Sequence, residues 1–256
     1  MLLAVDIGNT ETTIGLFEAD KIAQTWRIST QADRTADELA LMIMSLLRLG
    51  RVPRDADISG VAVSSVVPNA TQAMREMVPQ YFDFEPVVVE PGIRTGMPIL
   101  TDNPKEVGAD RICNAVGAYE LYGGPAVAVD LGTATTFDAV SEKGEHLGCA
   151  ISPGLAISAN ALVSRTAQLK RVELTPPDRL IGKSTYESIQ SGVVIGYACL
   201  VEGMIERFRK ELGGDAKSVL TGGLAEAMAP NLTGIDVLDP WLVLQGLRII
   251  YGRNVD

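Results

Sequence analysis

The sequence predicts an α/β protein with two similar halves. Short apolar segments of strand length alternate with amphipathic segments of helical spacing, which is the pattern of α/β folds. Two stretches, "LLAVDIGNTETTIGLF" from residue 2 and "AVAVDLGTATTFDAV" from residue 126, each join an apolar strand ending in Asp to a second strand through a turn of Gly and Thr. An internal duplication explains this similarity, so we expect one such stretch to open each half.

The first half predicts a β-β-β-α-β-α-β series. Three short strands, at Leu2–Asp6, Thr13–Phe17 and Lys21–Arg27, are joined by hairpin-type turns. A helix follows over Thr35–Leu49, where apolar residues recur at helical spacing and Gly50 marks the end. The remaining predictions for this half are a strand in "DISGVAVSSVV", a helix opened by Pro68 and a strand at "PVVVE".

The second half restarts the series after a loop and a helix that ends at Gly123. It continues through "HLGCAISPGL", a helical region, a strand in "SVLTGGLA" and a helix in "WLVLQGLRIIYGR". No long Ser/Gly/Pro linker separates the halves, so we expect them to pack closely with a cleft between them.

Size and charge limit the possible functions. The 256 residues, 46% of them hydrophobic, can bury the core of one large domain or two small ones, and two are favoured. The formal net charge of -10 argues against a nucleic-acid or membrane-surface partner, because nonspecific binding to either begins with a positive field. The start "MLLAVDIG" does not have the pattern of a signal peptide, and no stretch approaches the roughly 18 apolar residues of a membrane span. We therefore expect a cytoplasmic protein.

The cysteines and the single histidine do not suggest a metal or disulfide framework. Cys113, Cys149 and Cys199 are far apart and form no CxxC pair, so we expect small buried residues in a reducing compartment. A Ser-His-Asp triad would have to use His146, the only histidine. We expect His146 instead to be a solvent-exposed residue of the turn "SEKGEHLG".

The first Asp-Gly-Thr turn has the chemistry of a phosphate site. Backbone N–H groups around Gly8 and the hydroxyls of Thr10, Thr12 and Thr13 can donate to phosphate oxygens, while Asp6 sits where a divalent cation could be held. Alone, such a turn is as easily a plain tight turn.

The second turn repeats this chemistry with Asp130, Gly132 and Thr133, and two copies together indicate a phosphate clamp from opposite walls of a cleft. A strand running into Gly222 and Gly223 adds a third element. The glycine pair permits close approach of a flat ligand such as adenine, although a strand-to-helix turn without a ligand has the same sequence.

Seven motifs connect these features to a known family. They are "DIGNT" at 6–10, "DNPKEVGADR" at 102–111, "VDLGTATTFD" at 129–138, "AISPGL" at 150–155, "GKST" at 182–185, "SGVVIGY" at 191–197 and "TGGLA" at 221–225. The arrangement resembles the acetate and sugar kinase, heat-shock chaperone and actin superfamily, and more narrowly the type III pantothenate kinases, over nearly the whole chain. The resemblance implies two similar actin-like (ribonuclease H-like) domains, 1–118 with a phosphate 1 motif and 119–256 with phosphate 2 and adenosine motifs, and a nucleotide cleft between them.

The resemblance also implies an activity, the ATP-dependent phosphorylation of pantothenate, which is the first step of coenzyme A biosynthesis. Asp110 would be the general base on the substrate hydroxyl, and Arg111 with the backbone near Gly108 and Ala109 would hold pantothenate. On spacing alone, the neighbouring Asp110 and Arg111 are at least as easily an ordinary ion pair. Thr185 would contact pantothenate at a pocket shaped by the interface of a homodimer.

ATP and metal contacts are carried over in the same way. Asp6 is implied near the magnesium ion of Mg-ATP, and Asp130 as the ligand of a monovalent cation, potassium or ammonium. Many family members have a Tyr before "DNP", where this chain has Leu100 and Thr101, so an aromatic wall of the substrate pocket is absent or comes from elsewhere. The implied ATP-binding residues are Asp6, Ile7, Gly8, Asn9, Thr10, Glu11, Thr12, Thr13 and Thr133.

Two alternatives remain open at the level of sequence. One keeps the fold and changes the phosphoryl acceptor to a sugar, acetate or another small alcohol. The other is a nucleotide-dependent accessory or regulatory protein, since actin and the chaperones use ATP to switch domain closure. The intact Asp6, Asp110 and Asp130 argue against an inactive homologue.

Overall fold

The computed structural model describes residues 1–50, 52, 58–164 and 172–255, and the chain folds as two compact units. Unit 1 comprises Met1–Met97, Asp102–Gly117 and Leu242–Asp256, and unit 2 comprises Pro98–Thr101 and Ala118–Trp241. These units differ from the sequence-based domains 1–118 and 119–256 chiefly at the C-terminus, because residues 242–256 belong to unit 1.

The described residues form strands and helices in the predicted order. The strands are β1 (Leu2–Ile7), β2 (Glu11–Glu18), β3 (Lys21–Ser29), β4 (Gly60–Ser65), β5 (Val87–Val88), β6 (Ala126–Leu131), β7 (Ala134–Val140), β8 (His146–Pro153), β9 (Lys217–Thr221) and β10 (Val237–Leu238). The helices are α1 (Ala36–Leu49), α2 (Pro68–Phe82), α3 (Ala109–Tyr122), α4 (Leu155–Ser164), α5 (Thr185–Gln190), α6 (Gly196–Glu211), α7 (Ala225–Met228) and α8 (Leu242–Gly252). Short 3-10 turns lie at Pro104–Glu106 and Ala229–Asn231, and a π-helical turn at Ser191–Ile195 joins α5 to α6.

The two sheets have the same topology. The first has the strand order β3-β2-β1-β4-β5 and the second has the order β8-β7-β6-β9-β10 when it is read from its antiparallel edge. In each sheet the first three strands along the chain are antiparallel and the other two join in parallel. This repetition confirms the predicted α/β fold with two similar halves.

Local sequence signals explain where the helices of unit 1 begin. Thr35 and Glu38 form a capping box at the start of α1, in which the Glu38 carboxylate accepts from the Thr35 amide at 2.9 Å. Pro68 occupies the first turn of α2, where its missing N–H costs nothing. Gly50 ends α1, as predicted.

The two faces of the first sheet have different partners. Leu3 and Val5 of β1 point to one face and share a buried core with residues of α1 and α2. Because side chains alternate along a strand, Asp6 lies on the opposite face. On that face α8 packs against β1, and a Cβ at Gly15 of β2 would come within 2.8 Å of Leu244. The last helix of the chain therefore covers the face that carries the first aspartate.

Unit 2 is built in the same way around the second sheet. Val129 and Phe137 share a buried core with Val201 and Ile205 of α6. The helical segment Thr185–Glu211 is 27 residues long with a mean hydropathy of 1.4 in its most apolar window. By length and composition it could cross a membrane, but the core helix of a soluble protein passes the same test, and Val201 and Ile205 are buried in this core.

Two expectations about single residues were wrong. His146 is fully buried at the start of β8, where its Nε2 lies 2.9 Å from Oδ1 of the buried Asp138, instead of being exposed in a turn. Cys113 is buried as expected, but Cys149 and Cys199 are exposed, because they lie on outward-facing positions of the edge strand β8 and of α6. Of the predicted elements, Asp57 and part of the helical region, at 165–171, lie outside the described residues.

Candidate active site

Asp6 lies near the carboxyl end of the central strand of the first sheet. It pairs with Thr13 on the antiparallel side and with Ser64 on the parallel side. The hydroxyl of Ser64, which is fully buried, donates to Oδ1 of Asp6 at 2.8 Å. The carboxylate of Asp6 is half-buried, so one of its oxygens is fixed by the neighbouring strand while the residue still reaches the surface.

The turn after Asp6 is tight and partly exposed. The amide of Gly8 donates to the carbonyl of Glu11 at 3.0 Å, and a Cβ at position 8 would crowd that carbonyl at 3.1 Å. The hydroxyls of Thr12 and Thr30 lie 2.8 Å apart, so Thr12 is tied to the end of β3. Among the predicted ATP contacts, Asn9, Thr10 and Glu11 are exposed, whereas Ile7 and Thr12 are buried.

Asp110 lies in the first turn of α3. Its Oδ1 accepts from the amide of Arg111 at 2.8 Å, and a carboxylate at this end of a helix is favoured by the helix dipole. A Cβ at Gly108 would lie 2.5 Å from the same oxygen. Glycine at 108 therefore makes room for the carboxylate of Asp110 itself, where the sequence suggested room for a ligand. Ala109 is buried, and Arg111 is half-buried.

Unit 1 brings the two predicted carboxylates together around one buried thiol. Burial raises the pKa of Cys113 well above its usual value of 9.0, and the negative charges of Asp6 and Asp110 raise it further, partly offset by a hydrogen bond with Ser64. The charges of both aspartates therefore act on Cys113, which follows Asp110 by one turn of α3. Sequence analysis missed Ser64 and assigned no role to Cys113.

The buried thiol gives the first testable prediction. Because the thiolate is the reactive form, native protein treated with iodoacetamide near pH 8 is expected to be modified at the exposed Cys149 and Cys199 but not at Cys113. Peptide mass spectrometry should detect modification of Cys113 only after unfolding in guanidinium. Native labelling of Cys113 at the rate of Cys199 would contradict the placement of this thiol.

The second turn, in unit 2, is held from two sides. The amide of Gly132 donates to Ala134 at 3.0 Å, and the amide of Gly154 donates to Thr133 at 3.1 Å. A Cβ at Gly154 would overlap the carbonyl oxygens of Gly132 and Thr133, so glycine is needed where α4 begins. Thr133 itself is exposed at the tip of the turn, with Asp130 half-buried beside it.

Gly222 packs directly on Asp130. Its φ is +98°, and a Cβ there would overlap Oδ1 of Asp130 and approach the amide of Leu131 at 2.6 Å. The sequence suggested that Gly222 leaves space for a flat ligand such as adenine. In the structure the space beside Gly222 is filled by the carboxylate of Asp130. Tyr197 lies in the same region, since its hydroxyl bonds to that of Thr135, and burial raises its pKa, with a smaller contribution from Asp130.

Gly222 gives a second prediction with a matched control. Gly222→Ala is expected to lower the free energy of unfolding by at least about 1 kcal/mol more than Gly214→Ala, because crowding adds to the strain of a positive φ. Gly214 has a nearly equal φ of +102° but nothing within 4 Å of a Cβ. Urea unfolding of both variants makes the comparison, and equal losses would contradict the close packing on Asp130.

The remaining predicted residue, Thr185, is exposed at the first position of α5 in unit 2. Ser184 caps this helix, because its hydroxyl accepts from the amide of Glu187 at 3.2 Å. Gly182 lies so close to Ser188 that a Cβ would be 2.5 Å from its amide. The "GKST" motif therefore forms a close-packed helix start that presents Thr185 to solvent.

Metal binding at these aspartates would need ligands beyond protein carboxylates. In the part of the chain that the structure describes, His, Cys, Asp and Glu form no group of three or more that could hold a metal. Mg²⁺ typically binds one or two carboxylates and completes its shell with water and substrate phosphates. Asp6, half-buried beside an exposed turn of donors, fits that mode.

The paired sheets, each with a strand-end aspartate, define a fold class, the fold that actin-like ATPases and sugar kinases share. The ROK hexokinase of Thermus thermophilus shares the fold with a TM-score of 0.53 and 13% identity, over 98% of this chain and 99% of that one. A Campylobacter jejuni protein, described as a conserved candidate Baf family transcriptional activator, has a TM-score of 0.60 and a sequence identity of 20%, over 98% of both chains. At these identities the likeness concerns the fold alone.

Sequence similarity narrows the class to one family. The model of the type III pantothenate kinases matches residues 2–207. The type III pantothenate kinase of Moorella thermoacetica is 50% identical over 254 residues, which cover 99% of this chain and 100% of that protein. The chain belongs to the type III pantothenate kinase family.

Proposed function

We propose that this protein phosphorylates the primary hydroxyl of pantothenate with ATP, the first step of coenzyme A biosynthesis. The observation that carries the proposal is the family membership, with 50% identity along the whole length of a relative that is named for this activity. Asp6 and Asp110 around one buried thiol in unit 1 support it, because phosphoryl transfer needs a base and a way to neutralise phosphate charge.

Asp110 acts as the general base in this proposal. Its carboxylate accepts the proton of the pantothenate hydroxyl as that oxygen attacks the γ-phosphorus, and ADP leaves with the bridging oxygen. The bond from the Arg111 amide keeps the carboxylate oriented, and the helix dipole at the start of α3 interacts favourably with its charge. The guanidinium of Arg111, with the backbone of Gly108 and Ala109, binds the carboxylate of pantothenate.

ATP binds to the first turn and to Thr133 of the second. Asn9 and Thr10 present exposed polar groups, whereas the buried Ile7 can contribute only its backbone. Asp6 holds the magnesium ion, which neutralises charge on the phosphates when it is bound. The further ATP contacts in this proposal are Gly8, Glu11, Thr12 and Thr13.

Asp130 is the proposed ligand of a monovalent cation, potassium or ammonium. Its half-buried carboxylate lies against Gly222 and beside the Gly132–Thr133 turn. The protein is further proposed to be a cytoplasmic homodimer in which Thr185 contacts pantothenate. We propose no nucleic-acid or membrane partner, because the net charge of -10 disfavours binding to these negatively charged surfaces.

A coupled assay of ADP release tests the proposed function. Purified protein with Mg-ATP should release ADP only when pantothenate is added, and faster with potassium or ammonium than with the same concentration of sodium. Glucose and acetate in place of pantothenate serve as acceptor controls. ADP release with either of these and not with pantothenate would replace the proposed acceptor, and nucleotide binding without any turnover would favour a regulatory role.

A further inference from the structure

A buried hydroxyl lies behind Asp6. Ser64 is fully buried at the end of β4, in register with Asp6 on β1, and its hydroxyl donates to Oδ1 of Asp6 at 2.8 Å. The four residues of β4 before Ser64 are apolar, as expected for a strand of a covered parallel pair. A buried hydroxyl in such a strand is costly without a partner, so its bond to Asp6 accounts for its presence.

The direction of this bond follows from counting protons. A serine hydroxyl has one proton, and Ser64 gives it to Oδ1 of Asp6 at 2.8 Å. The hydroxyl therefore has no second proton to give to another neighbour.

The second sheet repeats the register of this pair. Asp130 on β6 lies in register with Thr221 on β9, as Asp6 does with Ser64. Thr221 is 1% exposed, so a buried hydroxyl residue lies next to the strand-end aspartate on the neighbouring strand in both units.

We propose that Ser64 is a positioning residue for Asp6. By holding Oδ1 from the neighbouring strand, it sets the orientation in which the Asp6 carboxylate would meet magnesium and the phosphates of ATP. The proposal rests on the proposed function, since Mg-ATP is the ligand concerned. Hydrogen-bond partners that orient a metal-binding carboxylate typically contribute 10- to 100-fold in metal affinity or activity.

The test measures ATP binding without pantothenate by calorimetry at a series of Mg²⁺ concentrations. Ser64→Ala should raise the Mg²⁺ concentration for half-maximal binding by about 10-fold or more and lower kcat, with KM for pantothenate unchanged. Ser64→Thr, which keeps the hydroxyl, should restore the wild-type midpoint. Ser64→Cys keeps the shape of the side chain but has a weaker hydrogen-bond donor, so it should raise the Mg²⁺ midpoint by less than Ser64→Ala does. This variant replaces Ser64→Ala in the test if the alanine variant does not fold.

The matched control is Ser65→Ala, which removes the next hydroxyl of β4. Ser65 bonds to the amide of Val67 at 3.1 Å, so this variant should lose some stability without changing the Mg²⁺ midpoint. An unchanged midpoint and kcat in folded Ser64→Ala or Ser64→Cys would overturn the positioning role. If wild-type protein binds Mg-ATP but does not phosphorylate pantothenate, the proposed function fails while the binding comparison still decides the role of Ser64.

Discussion

Asp110→Asn is expected to lower kcat for pantothenate phosphorylation about 100- to 10,000-fold, the usual contribution of general base catalysis. The amide is nearly the same size as the carboxylate and its oxygen can still accept from the amide of Arg111, so the start of α3 should keep its shape. The substitution removes the group that takes the hydroxyl proton and leaves the Asp6 turn intact. KM for ATP is therefore expected to change little, as steady-state kinetics with each substrate varied would show.

The control for this substitution is Asp33→Asn, which removes a carboxylate at an exposed position between β3 and α1. It should retain wild-type kcat. Thermal unfolding of the Asp110 variant should show only a small loss, about 0.3–1 kcal/mol, from the weaker interaction with the helix dipole. A kcat within a few-fold of wild type would contradict the role of Asp110 as the base, and a large stability loss would assign the residue to the fold instead.

Gly246→Ala is expected to lower the free energy of unfolding more than the alanine substitutions at Gly203, Gly214 and Gly222. Gly246 lies on α8 where it crosses α3, and an added Cβ would overlap the carbonyl oxygen of Cys113. Across the same crossing, a Cβ at Gly117 would meet the carbonyl oxygen of Leu242 at 2.9 Å. The obstacles are backbone atoms, which cannot rotate away, so we expect a loss of about 3 kcal/mol or more. Displacing α3 at Cys113 should also lower activity.

Gly203→Ala provides the matched comparison for Gly246→Ala. Gly203 lies within α6 with nothing within 4 Å of an added Cβ, so alanine there should stabilise the protein by about 0.5–1 kcal/mol through helix propensity. Urea unfolding of the two variants should therefore give shifts of opposite sign. A Gly246→Ala variant as stable as wild type would show that α8 and α3 do not cross as closely as described.

Periodicity and turn residues were sufficient to predict most of the fold. The apolar runs of β1, β4 and β6 and the capping signals around Thr35 and Pro68 depend on neighbours in the sequence, and the structure confirms those elements. The membership of α8 in unit 1 depends on contacts with β1 and β4 and on a close approach to α3, all more than a hundred residues away, which no local pattern encodes. The same is true of His146, whose burial follows from its pairing with Asp138 on the adjacent strand.

The candidate site was predictable where chemistry is written in a motif. "DIGNT" and "GADR" pointed to Asp6 and Asp110, and the charges of both raise the pKa of the buried Cys113, while their roles stay predictions. Ser64 was missed because its role comes from register with β1, although two serines at the end of an apolar strand are a signal that could have been used. The sequence analysis explained Gly108 and Gly222 by the approach of a ligand. In the structure a Cβ at either position would crowd an aspartate oxygen, so glycine is explained by packing within the protein.

Direct detection of the product tests the central claim most directly. Wild-type protein incubated with Mg-ATP, pantothenate and potassium should convert pantothenate to a species heavier by one phosphoryl group, seen by mass spectrometry, with one ADP formed per product molecule. Asp110→Asn under the same conditions should form almost none. If wild-type protein binds ATP yet leaves pantothenate unmodified in the presence of potassium or ammonium, the account of this chain as a pantothenate kinase is contradicted.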